Sequence, residues 1–224
     1  MLEKIKKEFY FGEKVDGYNI PVLNEREIRA GAGILFLFSI IMFFVGCVGE
    51  NFWAVKIFGT YFLIEFFIRV LINTKFAPSL ILGRIFVSNQ KPEYVGAPQK
   101  RFAWSIGLFL GIIFFVSTVL LNSFGPWNVI LCFICMTFLY FESVFGICWG
   151  CQVYEKFFHK KAEYCPGGIC EIKTKEKIQK ISKIQLIILF FTILTIILFL
   201  NLNIEKQKRN NGCFIQKENS CKIF

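Results

Sequence analysis

WNVILCFICMTFLYFESVFGICWGC, residues 127–151, decides how the chain is read. Its first 21 residues, 127–147, carry one charge, Glu142, and the stretch then closes on a Cys-x-x-Cys pair, Cys148 and Cys151. About 20 apolar residues at ~1.5 Å each cross a bilayer as a helix. Barrel strands are half that length and alternate in polarity, which this stretch does not. Further runs of this kind occupy 30–48, 52–72, 102–121 and 184–202. The composition agrees: of 224 residues, 55% are hydrophobic, 19% are charged and 29 are Phe, beyond what a soluble domain carries.

These runs predict an all-α polytopic membrane protein. Four helices form a transmembrane bundle within 30–151, and a fifth, at 184–202, is appended as an anchor. The remaining segments are a polar N-terminal stretch (1–29), a basic Cys-containing loop (152–183) and a polar tail (203–224). Gly49-Glu50-Asn51 and the turn from Asn122 to Pro126 are tight hairpins. Asn24 with Glu27 three residues on is a capping-box start for the first helix. Pro78 suits the first position of a short helix over 79–87, too short to span and expected to lie in the interface. The N-terminal segment is polar and mixed in charge, with no signal-peptide pattern.

The net charge of +10 is not a nucleic-acid signature, because no basic stripe interleaved with aromatics lies on a soluble segment. It is distributed by topology. Lys and Arg number six in 1–29, five in 73–101 and eight in 152–183, and the two hairpins have none. The positive-inside rule therefore puts these three segments in the cytoplasm, against five basic residues in the tail that pull the other way.

Three charges fall well within the runs: Glu65, Arg69 and Glu142. A charge at depth costs at least a few kcal/mol unless paired or hydrated. Glu65 and Arg69 stand at i and i+4 and can pair. Glu65 lies seven residues before Ile72 and Glu142 six before Cys148, so both sit about 10 Å from the same membrane edge. Arg29 and Arg101 enter from that side. The expectation is one cluster of Glu65, Glu142, Arg69, Arg29 and Arg101. It acts either as a structural ion-pair network or as a polar pocket in which the arginines and Glu65 bind an anion from the cytosol.

Of nine cysteines, Cys47, Cys132 and Cys135 lie within runs and read as packing residues. Cys148 and Cys151 stand where the fourth helix leaves the membrane. Nearby lysines favour a thiolate there, whereas a helix C-terminus disfavours one. Cys165 and Cys170 follow in the same loop. Three accounts stay open: a dithiol relay, a four-thiolate Zn site at Cys148, Cys151, Cys165 and Cys170, and plain structural cysteine. Cys213 and Cys221 lie in the tail, where a disulfide would be ordinary if that tail is outside. His159, alone of its kind, argues against a multi-His metal site, and neither a phosphate-binding glycine loop nor a nucleophile elbow is present.

Four stretches together resemble an uncharacterised bacterial membrane family, domain of unknown function 4395. They are Pro21-Val22-Leu23-Asn24-Glu25 with Arg29, then Arg69 through Pro78-Ser79, then Gly96-Ala97-Pro98-Gln99-Lys100-Arg101-Phe102-Ala103, and Glu142 through Gly146-Ile147-Cys148-Trp149-Gly150-Cys151 with Tyr154. The resemblance covers roughly residues 18–172. It implies a four-helix bundle in a bacterial inner membrane with a cytoplasmic N-terminus. It also implies thiol or sulfur chemistry, by association with rhodanese-like or thioredoxin-like partners. The resulting expectation is a protein handling thiol/disulfide redox or a sulfur-bearing anion, with Cys148, Cys151 and Glu142 as reacting groups. The alternatives are a small anion transporter with structural cysteines and a Zn-binding membrane scaffold.

Overall fold

The computed structural model describes residues 11–47, 49, 51–158, 164, 181–195 and 197–198. Two compact units divide the chain, Met1–Lys173 and Thr174–Phe224. The first holds the helices that matter here.

Its elements run as β1 (Val22–Asn24), α1 (Glu25–Cys47), α2 (Phe52–Phe67), α3 (Pro78–Val87), β2 (Tyr94–Gly96), α4 (Ala97–Phe115), α5 (Pro126–Tyr140) and α6 (Trp149–Phe158). Three of the helices widen at their C-terminal ends into a five-residue π-turn: Ile68–Ile72 after α2, Val116–Leu120 after α4 and Phe141–Phe145 after α5. Such turns are rare and cluster at functional sites. Arg69 and Glu142, two of the three charges expected at depth, both sit in one.

Among the described residues three helices are long and apolar enough to cross a membrane: Glu25–Gly46, Ala97–Leu120 and Pro126–Phe145. The helical stretch 52–72 has the length, but Lys56, Glu65 and Arg69 give it three charges. Outward-facing side chains are apolar on all four, including Leu37, Phe44, Phe67, Phe109 and Phe133, each about half exposed or more. A surface of this kind needs an apolar surrounding. Within the second unit, Lys183–Thr195 is a shorter apolar helix. Of the expected fifth span, residues 196 and 199–202 lie outside the described residues, as does the tail.

The chain starts its helices where local chemistry dictates. Pro98, Pro126 and Pro78 all stand at the first or second helical position, where a missing N–H costs nothing. Asn24 Oδ1 accepts from the Arg26 N–H at 3.2 Å, while Asn24 Nδ2 donates to Glu27 Oε1 at 3.1 Å. The cap is real, but Glu27 meets the Asn24 side chain and not its backbone. Glu27 also accepts from Arg84 on α3, at 3.0 and 2.9 Å. Gly31 and Gly83 leave no side chain between α1 and α3, which pack backbone to backbone. The outer face of α3 carries Ile81, Leu82, Ile85 and Phe86, all exposed and apolar.

The expectation of an all-α chain is corrected in one respect that matters for the site. β1 and β2 pair antiparallel, Val22 against Gly96, Leu23 against Val95 and Asn24 against Tyr94. Three-residue strands show no readable alternation, so sequence cannot announce them. Each strand runs directly into a helix. The sheet therefore sets the N-terminal ends of α1 and α4 side by side, locked by Glu25 N–H to Glu93 O (2.7 Å) and Ala97 N–H to Pro21 O (2.9 Å).

Candidate functional site

The first turns of α1 and α4, brought together by the sheet, hold Glu25 and Lys100. Lys100 is fully buried and its Nζ lies 2.8 Å from Glu25 Oε2 and 2.9 Å from Glu142 Oε1. The contact to Glu142 is a hydrogen bond, whereas that to Glu25 is close enough for an ion pair but off-angle for a hydrogen bond. One cation thus faces two carboxylates away from water. Neither Glu25 nor Lys100 was among the expected site residues. Lys100 counts among the five basic residues of 73–101, and its burial marks it as different.

The second group is Glu65, Arg69 and Ser79. Arg69 Nε donates to Glu65 Oε1 at 3.0 Å, the local pair expected from the i,i+4 spacing. Ser79, the second residue of α3, closes the set. Its Oγ donates to Glu65 Oε1 at 2.6 Å, its N–H donates to Glu65 Oε2 at 3.2 Å, and Arg69 Nη2 donates to Ser79 Oγ. Tyr61 Oη adds a longer bond to Glu65 Oε2, 3.4 Å. The guanidinium of Arg69 lies over Phe66 at 5.1 Å and over Trp104 at 5.3 Å, favourable for a desolvated cation.

The five expected charges are therefore not one cluster. Glu65 and Arg69 form one buried set, and Glu142 belongs to another with Lys100 and Glu25. The other two arginines hold backbone. Arg29 donates to Ser143 O (3.1 Å) and Val144 O (2.9 Å), closing the carbonyl end of the π-turn after α5. Cations at a helix C-terminus are favourable there. Arg101 donates to Val70 O (3.2 Å), in the π-turn after α2.

The cysteine pair comes next to the Lys100 set because α5 ends early. Gly146 takes a left-handed φ of 66°, and Arg29 packs where a side chain there would begin. The chain turns, and α6 starts at Trp149, with the Cys151 N–H donating to Cys148 O at 3.0 Å. Cys148 and Cys151 thus flank the N-terminus of α6, not the C-terminus of the fourth helix. This reverses the expected electrostatics, since an N-terminal dipole favours a thiolate. No disulfide joins the two cysteines, and Cys151 is buried. The Cys151 side chain hydrogen-bonds Cys148 and, with the charge of Lys100, lowers the Cys148 pKa against the opposing effect of burial. The same bond and burial push the Cys151 pKa up. Iodoacetamide is expected to label Cys148 at a rate that levels off below the usual thiol pKa of about 8.5, read from a rate–pH profile of the Cys151→Ser and wild-type proteins.

Gly150 is where α6 meets α4. A Cβ there would clash with Ala103 Cβ and lie 2.6 Å from Ala103 Cα. Gly150→Val is expected to lose about 1–3 kcal/mol by overpacking, read as a lowered thermal midpoint.

A sequence profile described as "Domain of unknown function (DUF4395)" matches residues 23–159. The chain belongs to this family. The DUF4395 region takes in Glu25, Glu65, Arg69, Lys100, Glu142, Cys148 and Cys151, and stops short of Cys165, Cys170 and the apolar helix of the second unit. No curated protein and no solved structure matches the chain significantly. Cys165, Cys170 and His159 lie outside the described residues, so the four-thiolate Zn arrangement does too. Among the described residues no group of three or more His, Cys, Asp or Glu is placed to hold a metal.

Proposed function

We propose that this DUF4395 protein is a multi-pass protein of the bacterial inner membrane whose Cys148–Cys151 dithiol exchanges electrons with a thioredoxin-like or rhodanese-like cytoplasmic partner. The observation that carries the reading is the setting of the pair: two adjacent cysteines at a helix N-terminus, Cys151 hydrogen-bonded to Cys148, within the field of the buried Lys100. In the exchange, the Cys148 thiolate attacks a partner disulfide, Cys151 then attacks Cys148 Sγ, and the partner leaves as a dithiol. The reverse sequence reduces this protein.

In this reading 52–72 is the fourth crossing of the bundle, since the pairing of Glu65 with Arg69 removes most of the cost of burying them. The apolar segment at 184–202 is the appended fifth. The basic segments 1–29, 73–101 and 152–183 face the cytoplasm. Thiol chemistry takes precedence over anion binding because Arg29, Arg69 and Arg101 already donate to backbone carbonyls, Ser79 and Glu65.

Acid-quenched membranes treated with a maleimide mass tag test the reading. The pair is expected to convert between two tagged thiols and an untagged disulfide as thioredoxin is supplied reduced or oxidised. Cys148→Ser or Cys151→Ser should abolish that conversion. A pair that stays reduced under every donor and acceptor overturns it.

A further inference from the structure

The π-turn after α2 and the first turns of α4 frame an open groove of about 590 Å³. Leu71, Ile72, Pro98 and Phe102 give it an apolar wall, and Arg101 and Ser105 are its polar side chains. Leu71 is 57% exposed, and Arg101 and Ser105 are exposed as well, so the groove is reached from the surface. Clefts of about 300–1,000 Å³ hold small organic ligands.

Arg101 is held in this groove without being used up. Its Nε donates to Val70 O, and its guanidinium lies 5.0 Å from the centre of the Phe11 ring. These two contacts fix the plane of the group. Nη1 and Nη2 have no partner among the described residues. Arg84 and Lys100 each face a carboxylate, but no Asp or Glu lines this groove. The Ser105 hydroxyl is already donated to Arg101 O, at 2.8 Å. The free donors are thus the two terminal nitrogens of one guanidinium, the fork that pairs with two phosphate oxygens. Phe102 opens the apolar run 102–121, so Arg101 stands where that span ends, on the side that the basic segments mark as cytoplasmic. Basic pockets between membrane helices on that side take anionic lipid headgroups.

We infer that this groove binds an anionic phospholipid of the cytoplasmic leaflet, with the phosphodiester on Nη1 and Nη2 of Arg101. An acyl chain lies along Leu71, Ile72 and Phe102, which a free phosphate would leave uncovered. A zwitterionic lipid fits less well, because the groove offers its ammonium no carboxylate. The guanidinium is fixed before the lipid arrives, so little is lost in ordering it. Through Val70 O the bound headgroup ties the start of α4 to the π-turn that carries Arg69. The inference goes beyond the dithiol reading and is independent of it, resting only on the crossings by 52–72 and α4.

The test is native mass spectrometry of the full chain in detergent, with phosphatidylglycerol and phosphatidylcholine of the same acyl chains in competition. Phosphatidylglycerol is expected to bind about tenfold more tightly, as a charge-assisted contact allows. Arg101→Gln, whose amide can still donate to Val70 O, should bring the two lipids to near parity. Lys91→Gln removes an exposed charge of the same segment outside the groove and should leave the preference unchanged. Equal binding of the two lipids to the wild-type protein overturns the inference. So does an equal loss in Lys91→Gln and Arg101→Gln, which would make the preference one of overall surface charge. Inorganic phosphate that displaces the lipid completely assigns the groove to the free anion and overturns the lipid. A phosphatidylglycerol with a photoreactive diazirine beside its headgroup, used on the wild-type protein in nanodiscs, checks placement without any variant. Labelling at 71–72 or 98–105 supports the site, and labelling confined elsewhere overturns it.

Discussion

Lys100→Met is expected to be the most damaging single change in the membrane domain. The side chains are close in length, so little packing is lost. What remains is Glu25 and Glu142 facing each other with no cation between them, at 0% and 9% exposure. Breaking a buried ion set by removing one partner costs about 3–5 kcal/mol, enough to consume much of a domain's stability. The measurable outcome is a large drop in thermal midpoint in detergent, followed with a thiol-reactive dye or by aggregation. The cause is separable from a loss of volume. Lys100→Met combined with Glu25→Gln and Glu142→Gln removes all three charges and should recover a large share of the loss, because the partners are strongly coupled. A triple variant no more stable than Lys100→Met would show that the charges are not the reason. Lys100→Met should also slow iodoacetamide labelling of Cys148 at neutral pH. The lysine charge favours the Cys148 thiolate, so its loss moves the rate–pH profile to higher pH.

Arg69→Leu should come second. Glu65 is fully buried and accepts from Arg69, Ser79 and Tyr61. Without Arg69 the two Ser79 bonds and the Tyr61 bond remain, but the charge is uncompensated. The rings of Phe66 and Trp104 also lose the guanidinium that stacks on them. A loss of about 3–5 kcal/mol is expected. Arg69→Lys should cost less but still about 1–3 kcal/mol, since an ammonium cannot donate to Glu65 and Ser79 in a fixed fork. Thermal unfolding of the two variants beside Glu65→Gln checks this. Equal midpoints for Arg69→Leu and Arg69→Lys would mean that the charge is not what Glu65 requires.

The two ion sets differ in how far sequence could reveal them. Glu65 and Arg69 are one helical turn apart, so local geometry sufficed and the 3.0 Å bond agrees. Lys100 was hidden because its partners come from α1 and from the π-turn after α5. No spacing rule links residues that meet only when a three-residue strand pair lines up two helix starts. A turn-forming glycine could have warned that the fourth helix stops at Gly146. The apolar Ile147 and the Cys-Trp pair after it made the run look continuous, and that placed the cysteines on the wrong pole of a helix. Arg29 and Arg101, expected in an ion-pair network or an anion pocket, bond instead to backbone carbonyls, which every residue has and no pattern marks.

The apolar runs, the prolines that open helices and the Cys-x-x-Cys pair are properties of neighbouring residues, and the sequence by itself determined them. Burial of 20 or so apolar side chains along a helix depends on local composition alone, so membrane-length helices and the family were readable. The Cys148–Cys151 site was decided by tertiary structure. A thiol beside a cation and a cation between two carboxylates are matters of distance in a medium that screens little. Those distances exist only once β1 and β2 have set α1 against α4 and Gly146 has turned the chain to begin α6.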